Sequence, residues 1–343
     1  MAYNKIVLKD QTLIDLTSDT VTPDTLAVGA TAHDKTGASI VGTMSGGGGG
    51  ASTKYGATVD TFLGDVASTG KLLAPTVQTD LVFDGVTDLA YFALRYRFFY
   101  NPAIHSASFP QLVQVSGSNA LNSCFQSASL ENISFPVLQS VTGARAFYGA
   151  FYGTSIQSAS FPALTTVSGK ECFYNAFFGC EYITSVSFPV LEEVIGHYSF
   201  ERCFYGCSAL TNVSFPRLNK IGSDTETNYD NNGQFIEAFT STKVTSLEFP
   251  ELTALYCSGG TNNTGTFANN KTIRKIYFPK LAVIDKSPTY PAGLNAHKYI
   301  FSGCNSLTEI HFGAANQAAI EATEGYSTLW GRGAGKATVY FDL

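Results

Sequence analysis

Charge is scarce in this chain: only 14% of its 343 residues are Asp, Glu, Lys or Arg, against roughly 25% in an ordinary globular domain. The formal net charge is -6 and no basic run occurs, which excludes the cationic patch that nucleic acids and anionic membranes require. No apolar stretch approaches the roughly 18 continuous residues of a membrane-spanning helix. Met1 opens onto AYNKIVLKDQ, without the basic-then-apolar layout of a secretion signal, as expected of a chain made in the cytoplasm. The seven cysteines are odd in number and none stands in a CxxC pair. Neither a disulfide framework nor a zinc ligand set is therefore expected, and the thiols should be reduced and buried as small hydrophobes.

Catalytic patterns are missing too. GxSxG is absent, none of the five histidines lies in a recognisable motif, and the glycines Gly46 to Gly50 are not followed by the GK[ST] of a phosphate loop. Asp224, Glu226, Asn228 and Asp230 alternate like the start of a calcium loop, but Tyr229 and Phe235 stand where Gly and Glu are needed. The chain is expected to be no enzyme and to hold neither cofactor nor metal.

What the sequence does have is apolar and repeated. With 44% apolar and 13% aromatic residues it can fill a sizeable core. A Phe-Pro-x-Leu unit recurs at Phe109, Phe135, Phe161, Phe188, Phe215, Phe249 and Phe278, flanked by degenerate copies at Phe83 and Phe312. The nine anchors are separated by 26, 26, 26, 27, 27, 34, 29 and 34 residues, the period of a solenoid with insertions in its later coils. Apolar residues two apart, such as Val186 with Phe188, predict a short strand ending at each Phe, where the Pro stops the ladder. Phe147 and Phe151, like Phe173 and Phe177, stand four apart and predict a helical turn. Stacked coils would place the strands in a parallel sheet and the helical turns opposite it, with the aromatics filling the core between.

The repeated FPxLxxV with an intervening AFxxC-like motif, seen in Cys180, Cys207 and Cys304 three residues after Phe177, Phe204 and Phe301, resembles the BspA-like leucine-rich repeats of bacterial surface proteins. The resemblance covers Phe83 to Phe312. It implies an α/β repeat: a right-handed leucine-rich-repeat solenoid with a small N-terminal appendage. The segment TPDTLAVGATAHDKTGASIVGTM, Thr22 to Met44, is similar to the heads of tail-fibre proteins of tailed phages. The organisation expected is an attachment segment at 1–44, a Gly-rich linker at 45–52, a lead-in and cap at 53–82, the repeats at 83–312 and a C-terminal cap at 313–343, the last reading as a short helix then a strand.

These likenesses imply a phage or prophage tail adhesin located in the virion, meeting a host-cell surface receptor (protein or glycan) through the solenoid and other tail proteins through the N-terminal segment, with a homo-oligomer plausible for a fibre part. A bacterial cell-surface adhesin and a structural tail spacer are the alternatives. The residues suggest where a partner would bind. Outward strand positions read Ser108, Ser134, Ser160, Ser187 and Ser214, then change to Glu248, Tyr277 and His311; two residues earlier the row changes to Lys275 and Glu309. In the same coils three insertions appear, Gly222 to Gly233, Cys257 to Gly265 and Lys286 to Ala296, and per-repeat insertions commonly map to a binding face. The expected partner site comprises Glu248, Lys275, Tyr277, Glu309 and His311 on the strands, with Tyr229, Asp230, Tyr290 and His297 from the inserts.

Overall fold

The computed structural model describes residues 79–223, 233–257, 265–286, 300–323 and 337–343, and before them the backbone of five short strands. The chain divides into two compact units, Met1–Ala51 and Ser52–Leu343. In the first, β1 (Lys5–Leu8) pairs antiparallel with β2 (Gln11–Asp15), and β3 (Thr31–His33) with β4 (Ser39–Val41).

The second unit is a stack of coils. One sheet row holds β5 (Ala51–Tyr55), β6 (Thr79–Phe83), β7 (Ile104–Ser108) and β9 (Asn132–Ser134); then β11 (Ser158–Ser160), β13 (Ser185–Ser187) and β15 (Asn212–Ser214); then β17 (Ser246–Glu248), β19 (Lys275–Phe278), β21 (Glu309–Phe312) and β22 (Thr338–Phe341). From β6 onward the pairings of this row are parallel. Alternation explains the strands: Ser158 and Ser160 are exposed while Ala159 between them is buried, and Val186, Leu247 and Ile276 repeat that inward position.

A second parallel sheet forms after each Phe-Pro, where the sequence pattern predicted no strand. It is built from β8 (Gln114–Val115), β10 (Ser140–Val141), β12 (Thr166–Val167), β14 (Glu193–Val194), β16 (Lys220–Ile221), β18 (Ala254–Cys257) and β20 (Val283–Lys286). Each strand carries the apolar residue that closes an FPxLxxV unit, from Val115 to Ile284, all of them buried. Two residues past that apolar position the chain turns through a glycine column, Gly117, Gly143, Gly169 and Gly196, packed directly on the backbone of the preceding coil.

The third wall corrects the expectation of helical turns. Among the described residues the only α-helix is α1, Gln317–Glu321, whose Ile320 joins the core. The aromatic motifs instead form chains of tight turns in which every fourth residue has positive φ, as at Arg145 (57°), Gly149 (57°) and Gly153 (64°). Backbone N–H groups alternate in direction. Those of Phe147, Gly149, Phe151 and Gly153 donate to the next coil, at 2.7 to 2.8 Å, while those of Tyr148, Ala150 and Tyr152 donate three residues back within their own coil. Both routes satisfy the wall's amides, so it needs no helix.

Three ladders of phenyl rings fill the space between the walls. The strand-end ladder runs through Phe83, Phe109, Phe135, Phe161, Phe188, Phe215, Phe249, Phe278 and Phe312 to Phe341, with centroids 4.3 to 5.8 Å apart. The turn wall contributes Phe147–Phe173–Phe200–Phe235–Phe267–Phe301 and Phe98–Phe125–Phe151–Phe177–Phe204–Phe239. Rings of different ladders meet edge to face, as Phe161 does with Phe173 at 5.5 Å and 85°. The aromatics are not all core, however. In the doublets FY and FF the first ring points in and the second out: Phe147 and Phe151 are fully buried, whereas Tyr148 and Tyr152 are half-buried on the outer surface.

The cysteines of the AFxxC motif are more than small hydrophobes. The thiol of Cys180 donates to the Phe151 carbonyl at 3.0 Å, Cys207 to Phe177 at 3.0 Å and Cys304 to Phe267 at 3.0 Å. These bonds reach the preceding coil; Thr154, Thr242 and Asn270, which replace Cys in other coils, donate to the carbonyl three residues back in their own coil at 2.8 to 2.9 Å, and Ala128 at the same position has no side-chain donor. Burial pushes the Cys180 thiol up to about 11 and that of Cys304 up to about 12, so the reactive thiolate is rare. Thiol reagents are therefore expected to leave Cys180, Cys207 and Cys304 unmodified in the native protein and to label them on unfolding. Rapid native labelling of all three, read by mass spectrometry, would contradict the arrangement.

Candidate functional site

The last coils bring the strand-borne candidates together on one outward face. In register across β17, β19, β21 and β22 stand Glu248, Tyr277, His311 and Tyr340, and beside them Ser246, Lys275, Glu309 and Thr338. A period of two puts both rows on the same side of the sheet. The His311 ring is sandwiched: Tyr277 lies 4.7 Å away on one side at 19° and Tyr340 4.6 Å away on the other at 11°.

Charges frame this stack. His311 Nε2 lies 3.2 Å from Glu309 and Nδ1 lies 2.9 Å from Asp342, so each ring nitrogen faces a carboxylate. Lys275 Nζ reaches Glu309 at 2.8 Å. The hydrogen bond from Lys275, then that from His311, holds the Glu309 carboxyl below its usual range, and Glu309 in turn raises the Lys275 ammonium. As pH falls through its lowered value, Glu309 takes up a proton and the frame loosens; the contribution is present above the ordinary carboxylate value. Glu248 is exposed at the end of the row.

The outward position of His311 was expected, but its burial was not: stacking leaves it only 9% exposed. Two members of the cluster, Tyr340 and Asp342, escaped the sequence reading. Their signal was the spacing of Phe341, which stands 29 residues after Phe312 and is a tenth anchor, preceded by an outward Tyr as Phe278 is. Tyr229, Asp230, Tyr290 and His297, the three inserts apart from their end residues, and the Asp224 to Asp230 alternation lie outside the described residues. Among the described residues no group of three His, Cys, Asp or Glu is placed to hold a metal ion, and no helix is long and apolar enough to cross a membrane.

The family model for the BspA type leucine rich repeat region matches this chain in six copies, over residues 92–176, 149–223 and 175–319. No curated protein matches it. A leucine-rich repeat protein from Bacteroides ovatus, known from its crystal structure, is similar at 18% identity with a TM-score of 0.32. The alignment covers 74% of this chain and 64% of the other, so this chain spans less than two thirds of that protein's length.

Proposed function

The chain belongs to the BspA-type leucine-rich-repeat family, and from that premise we propose that it is a non-enzymatic binding protein of the surface or adhesin type, presenting a solenoid face to its partner. The observation that carries this reading is the change along the outward strand row. Through Ser214 the row offers small neutral groups; from β19 onward it offers Tyr277, His311 and Tyr340 stacked together within a frame of Lys275, Glu309 and Asp342. Rigid aromatic area with polar tips and fixed charges suits contact with a protein or glycan.

The solenoid is read as right-handed, because parallel strand crossovers almost always take that hand. The receptor is proposed to lie on a host bacterial surface, with residues 1–44 as an appendage joining the chain to a phage tail. That anchorage rests on the likeness of Thr22 to Met44 to tail-fibre heads. Anchorage to a bacterial cell surface is the second reading, favoured by the repeat family itself. Antibody labelling of virions and of cell envelopes distinguishes the two.

The partner site is tested by replacing Tyr277 and His311 with Ser, the residue earlier coils carry at the equivalent position. Binding to intact host cells is expected to weaken by about tenfold or more, as for a contact centred on aromatic anchors, with the unfolding midpoint lowered by the lost ring stacks but the chain still folded. A variant that stays folded and binds cells like the parent would place the site elsewhere.

A further inference from the structure

The turn wall of the first coils carries a surface that the strand-face reading does not use. Along Ala90–Asn101, Tyr91, Tyr96 and Tyr100 are 66%, 45% and 61% exposed, and Phe92 and Phe99 lie half-buried among them. The Arg95 guanidinium sits 4.7 Å over the rings of both Phe92 and Tyr96, which fixes a cation within the aromatic group. The next coil carries small polar residues at the corresponding positions: Asn119, Gln126 and Ser127 are partly exposed, while Asn122 and Ser123 are buried. Beyond it the wall turns aromatic again at Tyr148 and Tyr152. The two aromatic rows are thus two coil steps apart, steps of 5.2 and 6.0 Å in the underlying Phe98–Phe125–Phe151 ladder, with amides and hydroxyls between them.

Two further observations set this row apart from ordinary surface. Phe92, Tyr96 and Tyr100 occupy the three positive-φ positions of their coil, at 58°, 57° and 53°. The following coils put Asn119, Ser123 and Ser127, then Arg145, Gly149 and Gly153, at those places. Later coils also carry large residues at these places, Glu171, then Tyr198 and Arg202, so what is particular to the first coil is an aromatic at all three left-handed positions, where the backbone disfavours bulk. Charge is also segregated. Residues 90–101, 117–128 and 143–154 contain three Arg and no Asp or Glu, in a chain of net charge -6. Arg145 is engaged by Glu171 of the following coil, which leaves Arg95 and Arg97 in the acid-free part of the wall, Arg95 being the one held over the exposed rings.

We propose that this aromatic, cationic wall binds an acidic oligosaccharide, a chain of sugars bearing carboxylates, lying across the polar second coil. Sugar C–H faces pack on the exposed rings of Tyr91, Tyr96 and Tyr100, hydroxyls bond to Asn119, Gln126 and Ser127, and a carboxylate meets Arg95. The site is separate from the strand face, and its failure would leave that reading intact.

The experiment titrates the full-length protein by calorimetry with a galacturonate hexamer, with neutral maltohexaose and with a hexaglutamate peptide. Variants are Arg95→Gln and the double change Tyr96→Ser with Tyr100→Ser, which copies the second coil and so preserves the fold. The galacturonate hexamer is expected to bind the parent, about tenfold more weakly in either variant and more weakly at high salt, with Tyr277→Ser unaffected. The proposal is overturned if the parent does not bind it, if maltohexaose binds equally well, if both variants bind like the parent, or if hexaglutamate binds as tightly, which would point to an acidic protein partner.

Discussion

Replacing Phe188 by Ala is expected to cost about 3 to 5 kcal/mol of stability, the range for deleting a fully buried aromatic ring. Phe188 is completely enclosed. Its ring stacks on Phe161 at 5.1 Å and on Phe215 at 5.3 Å, and it meets the edges of Phe173 and Phe200 at 6.3 and 5.5 Å. Ladder neighbours cannot slide into the hole, because each is held by the next ring and by its own coil's hydrogen bonds to adjacent coils. The cavity therefore persists and its lining loses dispersion contacts. In a stack where each coil touches only its neighbours, the damage should be greatest close by. Hydrogen exchange should accelerate first in the coils from Phe161 to Phe215, with the terminal coils following only at global unfolding. A loss under 1 kcal/mol by denaturant titration would mean that the ring is not a core element.

Part of this fold is written in the residues themselves and part is not. Phe-Pro-x-Leu carries its own geometry: the Phe must be buried, the Pro must end a ladder, and regular recurrence forces stacking. The turn wall was ambiguous because a spacing of four, as between Phe147 and Phe151, arises both in an α-helix and in a chain of turns closed by a left-handed residue every four positions. The discriminating signal lay between the rings. Gly149 and Gly153, then Asn175 and Gly179, recur at the four-residue step, and Gly and Asn are the residues that tolerate positive φ, whereas Gly weakens a helix. The FY and FF doublets held a second overlooked signal, since two adjacent aromatics on a wall of this kind cannot both point inward. That omission hid the aromatic surface of the first coils. The strand-face candidates were legible because a period of two fixes which side a residue faces, and the second tyrosine on His311 becomes legible only once Phe341 is counted as a tenth anchor. The donors at the AFxxC position were only partly legible in their replacements: Cys, Thr and Asn share a proton to donate, but Ala128 at the same position in another coil has none.

Gly169→Ala is expected to destabilise the protein by about 3 kcal/mol, at the upper end of what overpacking costs. The added methyl is small, but its position is not negotiable: a Cβ there would lie 2.4 Å from the Gly143 carbonyl oxygen and 2.7 Å from the Cys172 sulfur. Gly196 stands in the same relation to the Gly169 oxygen at 2.1 Å, so the column lets three successive backbones touch. Relief requires the coils to separate. Separation would stretch the parallel pairing of Thr166 and Val167 with Ser140 and Val141, along with the ring stack of Phe147 on Phe173 at 4.9 Å. Gly179 provides the contrast within the same coil. Its φ is +67° but nothing lies within 4 Å of an added Cβ, so Gly179→Ala should cost only the left-handed backbone penalty, about 1 to 2 kcal/mol, and Asn there less. The two alanine variants thus separate contact from conformation. If they proved equally destabilising by denaturant titration, close backbone approach would not be the reason for the glycine column, and the coil spacing would have to be set by the ring ladders alone.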